Sequence, residues 1–266
     1  MDKKKIPSVL VIAGNDPSGG AGLAADIQAI SATGAHPAPV VTSLTVQDTI
    51  NAYEIEPVEP FFVRFQAETV LKDLNIKAIK LGLLATAEIG MEVARLLAKI
   101  PEIPVVADPV LVAAGGARLA EERLLEVYLH EILPRATVLT PNAEEIRALA
   151  PGENSQSARA TRLLSTGCQY VLCKGGDEDT PEVENTLYKR DGQHRSWRWE
   201  RVPGSHHGSG CTLASAIASF LAQGESMERA VKHAQQFTQE AIARGFKPGR
   251  GQDVPWRSWP LRAQQD

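Results

Sequence analysis

His207-Gly208-Ser209-Gly210-Cys211-Thr212 sets small residues and a cysteine where a helical pattern begins. Leu213, Ile217, Phe220 and Leu221 then recur with the spacing of one helical face. The first N–H groups of a helix lack internal partners, and the helix dipole adds partial positive charge there. Gly208, Ser209, Gly210 and Cys211 are therefore candidates to hold a phosphate. The same field lowers a thiol pKa, which predicts a thiolate at Cys211. Taken alone, the segment reads better as a capped turn with a small apolar cysteine.

Other clusters follow apolar runs. Gly14-Asn15-Asp16-Pro17-Ser18-Gly19-Gly20-Ala21-Gly22 comes after Val9–Ala13 and opens a helix. It lacks the Lys-Ser/Thr of a Walker A loop and the Gly-x-Gly-x-x-Gly spacing, yet its glycines suit close approach of a ligand. Asp108 ends the run Val105–Ala107. Asn142 and Glu145 follow Val138–Leu139 with the spacing of a capping box. Lys174-Gly175-Gly176 ends Tyr170–Cys173. Each has an ordinary role as turn, cap or surface lysine. Together they place carboxylates, a lysine and glycines at strand ends, where open α/β sheets bind ligands. An acidic pair for Mg²⁺, a lysine and an anion hole are the parts of a phosphoryl-transfer site.

Positioning these groups requires a sheet. Short apolar runs recur at Val9–Ala13, Pro39–Thr42, Ala78–Leu81, Val105–Ala107, Val138–Leu139 and Tyr170–Lys174. Helical periods fall between them, at Gly22–Thr33, Glu88–Lys99 and Glu121–Leu133. This alternation predicts an α/β fold, a mostly parallel central sheet with helices on both faces. Asp191-Gly192 within Asn185–Arg201 predicts a hairpin. Ser226–Arg244 reads as the last long helix, and the tail from Lys247 as a surface loop. With no linker in evidence, residues 1–266 read as a single domain.

Composition narrows the function. A net charge of −4 gives no electrostatic case for nucleic acid. No apolar run is long enough to span a bilayer. Lys3–Lys5 and the short run after them read as a first strand rather than a signal peptide. Three cysteines without Cys-x-x-Cys spacing predict a reducing compartment, the cytoplasm.

The chain resembles the hydroxymethylpyrimidine/phosphomethylpyrimidine kinases of thiamine biosynthesis, in the ribokinase-like superfamily. The resemblance runs from Val9 to about Gly251. It rests on Gly14–Gly22 with Asp26, Leu44-Thr45-Val46-Gln47-Asp48-Thr49, Lys80-Leu81-Gly82-Leu83-Leu84, Asp108-Pro109-Val110, Thr140-Pro141-Asn142 with Glu145, Lys174-Gly175-Gly176, and His207–Thr212. Cysteine at position 211 marks this kinase branch, where most of the superfamily has aspartate.

The resemblance implies ATP- and Mg²⁺-dependent phosphorylation of the pyrimidine alcohol to its monophosphate, then to its diphosphate. The pyrimidine would meet Gly14, Ala21, Asp26, Gln47, Leu83 and Val110. Asp108 and Glu145 would organise Mg²⁺. Lys174, Asn142 and Gly176 would serve ATP, and Gly208–Cys211 the transferring phosphoryl group. Cys211 would orient the hydroxyl and take a proton late. Leu44–Ile55 would form a flap over the substrate, and a homodimer is expected. Ala114-Gly115-Gly116 departs from the family's Lys-Ser-Gly. Leu83, Ala24 and Asn15 stand where methionine, glutamine and serine are common. A vitamin B6 kinase, a sugar kinase and a non-catalytic pyrimidine sensor are the rival readings. His206-His207 reads as a turn rather than a metal site.

Overall fold

A computed structural model describes residues 5–111 and 122–259. Nine strands form one sheet: β1 (Ser8–Asn15), β2 (His36–Gln47), β3 (Ala52–Pro57), β4 (Ile76–Leu81), β5 (Val105–Ala107), β6 (Val138–Leu139), β7 (Tyr170–Cys173), β8 (Glu182–Lys189) and β9 (His194–Glu200). Their order is β3-β2-β1-β4-β5-β6-β7-β8-β9. The six strands from β2 to β7 pair in parallel, while β3, β8 and β9 join antiparallel at the edges.

The helices are α1 (Gly22–Ala32), α2 (Pro60–Asp73), α3 (Ala87–Leu97), α4 (Glu122–Val127), α5 (Ala143–Leu149), α6 (Gln156–Ser165), α7 (Ser209–Ala222) and α8 (Met227–Ala243). Strand alternation assigns them to two layers. Leu10 and Ile12 face a core with residues of α2 through α6. Val9, Val11 and Ala13 face the other, with α1, α7 and α8. Every one of these five side chains is fully buried, which explains why β1 reads as an unbroken apolar run.

The structure departs from the sequence reading in places. The helix expected over Glu121–Leu133 is α4, continued by a π turn at Tyr128–Ile132 and a 3₁₀ turn at Leu133–Arg135. α2 carries exposed Phe61, Phe62 and Phe65, so its apolar residues fall on no single face. The tail is not merely a surface loop. Phe246 bridges to Val254, His206 to Asp253, and Arg257 is fully buried. Ala114-Gly115-Gly116 lies outside the described residues.

Candidate active site

Parallel strands deliver their carboxyl ends to one edge, where a cleft of about 500 Å³ opens. Gly14, Ala21, Gln47, Leu83, Val110, Asn142, Glu145, Lys174, Gly176 and Gly208–Cys211 all line it. Asp26 and Asp108 do not: both side chains are buried behind its wall.

The glycines fit the chain around this cleft. Gly208 caps α7 at φ +80°, and a Cβ there would meet the Gly20 carbonyl oxygen at 1.9 Å. Gly22, at φ +52°, would bring a Cβ to 2.4 Å from the Gly14 oxygen. Two backbone loops thus touch where only glycine fits.

Asp16 and His207 hold the same two loops together. His207 Nε2 lies 2.8 Å from Asp16 Oδ2 and 3.1 Å from Gln47 Nε2. Asp16 also accepts from the Ser18 and Ala21 N–H groups at 2.8 and 2.7 Å. Burial alone would raise the Asp16 carboxyl, but these hydrogen bonds hold it down at about 2. Neither Asp16 nor His207 was singled out from the sequence. Their 191-residue separation hid the pair, although each belonged to a recognised motif.

Beside the start of α7, Lys174 Nζ lies 3.0 Å from Asp108 Oδ1 and 3.8 Å from Glu145 Oε2. Thr140 Oγ1 donates to Asp108 Oδ1 at 2.9 Å. Burial works against a charged Asp108, yet Lys174 and Lys80 keep its carboxyl below the usual range. Burial raises Glu145 to about 7, against the pull of Lys174 and with repulsion from Asp108. The capping box forms as expected: Glu145 N donates to Asn142 Oδ1, and Asn142 N to Glu145 Oε2. A Cβ on Gly210 would sit 3.1 Å from Lys174 Nζ, so this charged cluster abuts the start of α7.

Below Cys211 lies a second buried pair. Lys80 Nζ lies 2.9 Å from Asp26 Oδ1, and Ser215 Oγ donates to the same oxygen at 2.7 Å. Both charged side chains are fully buried. The resemblance sets Asp26 against the pyrimidine; the structure instead commits it to Lys80 and Ser215. The thiolate expected at Cys211 is also corrected. Burial outweighs the nearby Lys80 charge and the Gly22 N–H, pushing the thiol up to about 11. A helix N-terminus favours a thiolate only where water or a close cation offsets desolvation.

The hairpin of β2 and β3 brings Gln47 to the cleft. Its tip is fastened to the chain's later residues. Gly251 N donates to Thr49 Oγ1 and Gln252 N to Thr49 O, both at 2.9 Å. Sequence reading missed this fastening and missed Arg257, one of several cations in a tail rich in Pro, Gly and Arg.

A mostly parallel sheet, a glycine-rich helix start and an adjoining lysine–carboxylate cluster mark the ribokinase-like class of small-molecule kinases. Residues 16–256 match the phosphomethylpyrimidine kinase family, and the chain belongs to it. It is 38% identical over 264 residues to a hydroxymethylpyrimidine/phosphomethylpyrimidine kinase of Streptomyces coelicolor, covering 96% of each chain. Some relatives are longer: the chain spans 51% of a thiamine biosynthesis bifunctional protein of Geobacter sulfurreducens, at 36% identity. Among solved structures, a Bacillus subtilis pyridoxal kinase bound to ADP superposes with a TM-score of 0.88 at 26% identity, covering 97% of this chain and 99% of that one. A phosphomethylpyrimidine kinase of Clostridium difficile gives 0.76 at 30% identity, covering 90% and 100%.

Proposed function

We propose that this protein transfers the γ-phosphate of ATP to the hydroxyl of 4-amino-5-hydroxymethyl-2-methylpyrimidine, then phosphorylates that monophosphate to the diphosphate, in thiamine biosynthesis. The observation that carries this reading is the joining, in one cleft, of Gln47, Cys211 and the start of α7 with the Lys174 cluster. Gln47 offers a donor and an acceptor to an aminopyrimidine edge. Gly14 and Leu83 line the same cleft and pack against each other, a Cβ on Gly14 meeting Leu83 at 3.1 Å. The N–H groups at Gly208–Cys211 face the phosphoryl group, and Lys174 neutralises phosphate charge.

Glu145 at the cleft wall and Asp108 just behind it would organise Mg²⁺, partly through water. Among the described residues, no three His, Cys, Asp or Glu side chains gather as a closed metal cage. Two carboxylates converging on a single lysine fit a hard cation that keeps water and phosphate oxygens as its other ligands. Bound there, Mg²⁺ would neutralise phosphate charge. Cys211 orients the hydroxyl as a neutral thiol. A loose transition state needs little prior deprotonation, so the alcohol proton leaves late.

A second reading has a specific observation behind it. The pyridoxal kinase superposes more closely than the phosphomethylpyrimidine kinase, whereas sequence identity favours the pyrimidine enzymes. Mg²⁺-ATP turnover on the pyrimidine alcohol, its monophosphate and pyridoxine, with products separated by mass, tests both. Turnover on both pyrimidines supports the proposal. Turnover on pyridoxine alone overturns it, and binding without turnover favours a sensor.

The continuous sheet supports one kinase domain over residues 1–266. No helix among the described residues is long and apolar enough to cross a membrane. Three free cysteines accord with the reducing cytoplasm. Exposed Leu44 and Val46 on β2, beside edge strand β3, support a homodimer with a second copy over that face. Sedimentation showing only monomer at micromolar concentration would remove it.

A further inference from the structure

Arg257 is the largest fully buried side chain among the described residues. Its Nε donates to Thr212 Oγ1 at 2.7 Å. Its Nη2 donates to the carbonyl oxygens of Gly20 and Gly208, and its Nη1 to Gln28 Oε1. Thr212 Oγ1 in turn donates to the Gly208 oxygen at 2.7 Å, closing a triangle behind the turn that starts α7. All four acceptors are neutral. No carboxylate lies within ion-pair distance of this guanidinium among the described residues. Burial pulls its pKa down to about 10, against the opposing pull of the more distant Cys211, Asp26 and Asp16.

A buried cation without a counter-ion is costly, and a packed apolar residue would fill the same volume more cheaply. Its geometry shows what the cation does. A trans peptide points its C=O and the following N–H in opposite directions. By drawing the Gly208 carbonyl backwards, Arg257 turns the Ser209 N–H away from itself. By holding Gly20 it also fixes the first glycine loop against the same turn. A planar guanidinium can serve these acceptors together, and an ammonium cannot.

We propose that Arg257 is a positioning residue of the kinase reaction: its guanidinium aims the backbone N–H groups at the start of α7, and the phosphoryl group bound there is its missing counter-charge. This rests on reading Gly208–Cys211 as the phosphoryl-holding turn.

The test uses the full chain with Arg257→Ala and Arg257→Lys. For Arg257→Ala we expect kcat to fall by roughly 10- to 100-fold, the scale of a misplaced reacting group, while KM for the acceptor moves less than about threefold. Added guanidinium at millimolar concentration should restore part of kcat. Arg257→Lys should keep the charge and remain impaired. Sulfate binding, followed by its stabilisation of the protein at constant ionic strength, should weaken in both variants. Unchanged kcat overturns the proposal. So does a loss that tracks thermal stability alone, without guanidinium rescue and with sulfate binding intact. If Arg257→Ala does not fold, Arg257→Lys decides by the same readouts. Sulfate binding does not depend on the acceptor. If the wild-type protein fails to phosphorylate the pyrimidine, the functional reading falls while sulfate still judges Arg257.

Discussion

Asp16 Oδ2 accepts from the Ala21 N–H at 2.7 Å and lies 2.8 Å from His207 Nε2, so one carboxylate ties its own loop to the turn before α7. Its carboxyl is depressed to about 2 in the folded protein, from 3.8. The resulting stability is complete above the unfolded value and is lost as pH falls from about 4 to 2. Its size is about 2 kcal/mol. Asp16→Asn should be less stable by that amount at pH 6, and the gap should close towards pH 2. Urea unfolding across that range measures it. A gap unchanged at pH 2 would show a packing loss instead.

Glu145 runs with the opposite sign. Its folded carboxyl is raised from 4.5 to about 7, so the folded state holds the proton more tightly. Stability is full below about pH 4.5 and declines as pH rises through 7. Glu145→Gln keeps a capping-box side chain and removes the charge. Without Mg²⁺ it should be more stable than wild type at pH 8, by on the order of 2–3 kcal/mol, and equal at pH 4.5. Turnover should drop by at least about 100-fold. A destabilised variant at pH 8 would show that the carboxylate is compensated without metal.

Cys211 should behave as a neutral thiol. With its pKa near 11, its alkylation by iodoacetamide should be slow at pH 7 and rise up to pH 10 without a plateau. Cys168 and Cys173 are buried, so peptide mapping should place the label on Cys211. Cys211→Ala should lower kcat by about 10-fold or more and leave acceptor KM little changed. A rate that levels off below pH 8 would restore the thiolate reading.

Lys80→Met should strand the Asp26 carboxylate in a fully buried site. The expected loss is about 3–5 kcal/mol. Adding Asp26→Leu should recover much of it, since an apolar pair avoids the desolvation cost. Denaturant unfolding of both variants settles the point. A single variant of unchanged stability would mean that Asp26 takes up a proton at no net cost.

Strand ends and glycine loops were legible in the sequence because their signals are local. Asp108, Asn142 with Glu145, and Lys174 each stop an apolar run, and strand periodicity carries them to one edge. Ionisation of Cys211 was not legible. Helix position alone promises a thiolate, and the opposing desolvation depends on packing from β4, α1 and the tail. Asp26 was misjudged for the same reason: its partners are Lys80 on β4 and Ser215 on α7. α2 was hidden by phenylalanines that face outwards. Arg257 carried no periodic or motif signal, and only three-dimensional contact reveals its role.

Arg257 meets Gly20 across 237 positions, and Gly251 meets Thr49 across 202. Such contacts close late, because their loops are entropically expensive. During synthesis, strands β1 to β7 leave the ribosome and can pair before Arg257 exists as part of the chain. The sheet edge can therefore form before the turn that starts α7 gains its Arg257 contacts. On the role proposed for Arg257, the turn that starts α7 takes up its phosphate-holding shape only once these distant contacts have closed.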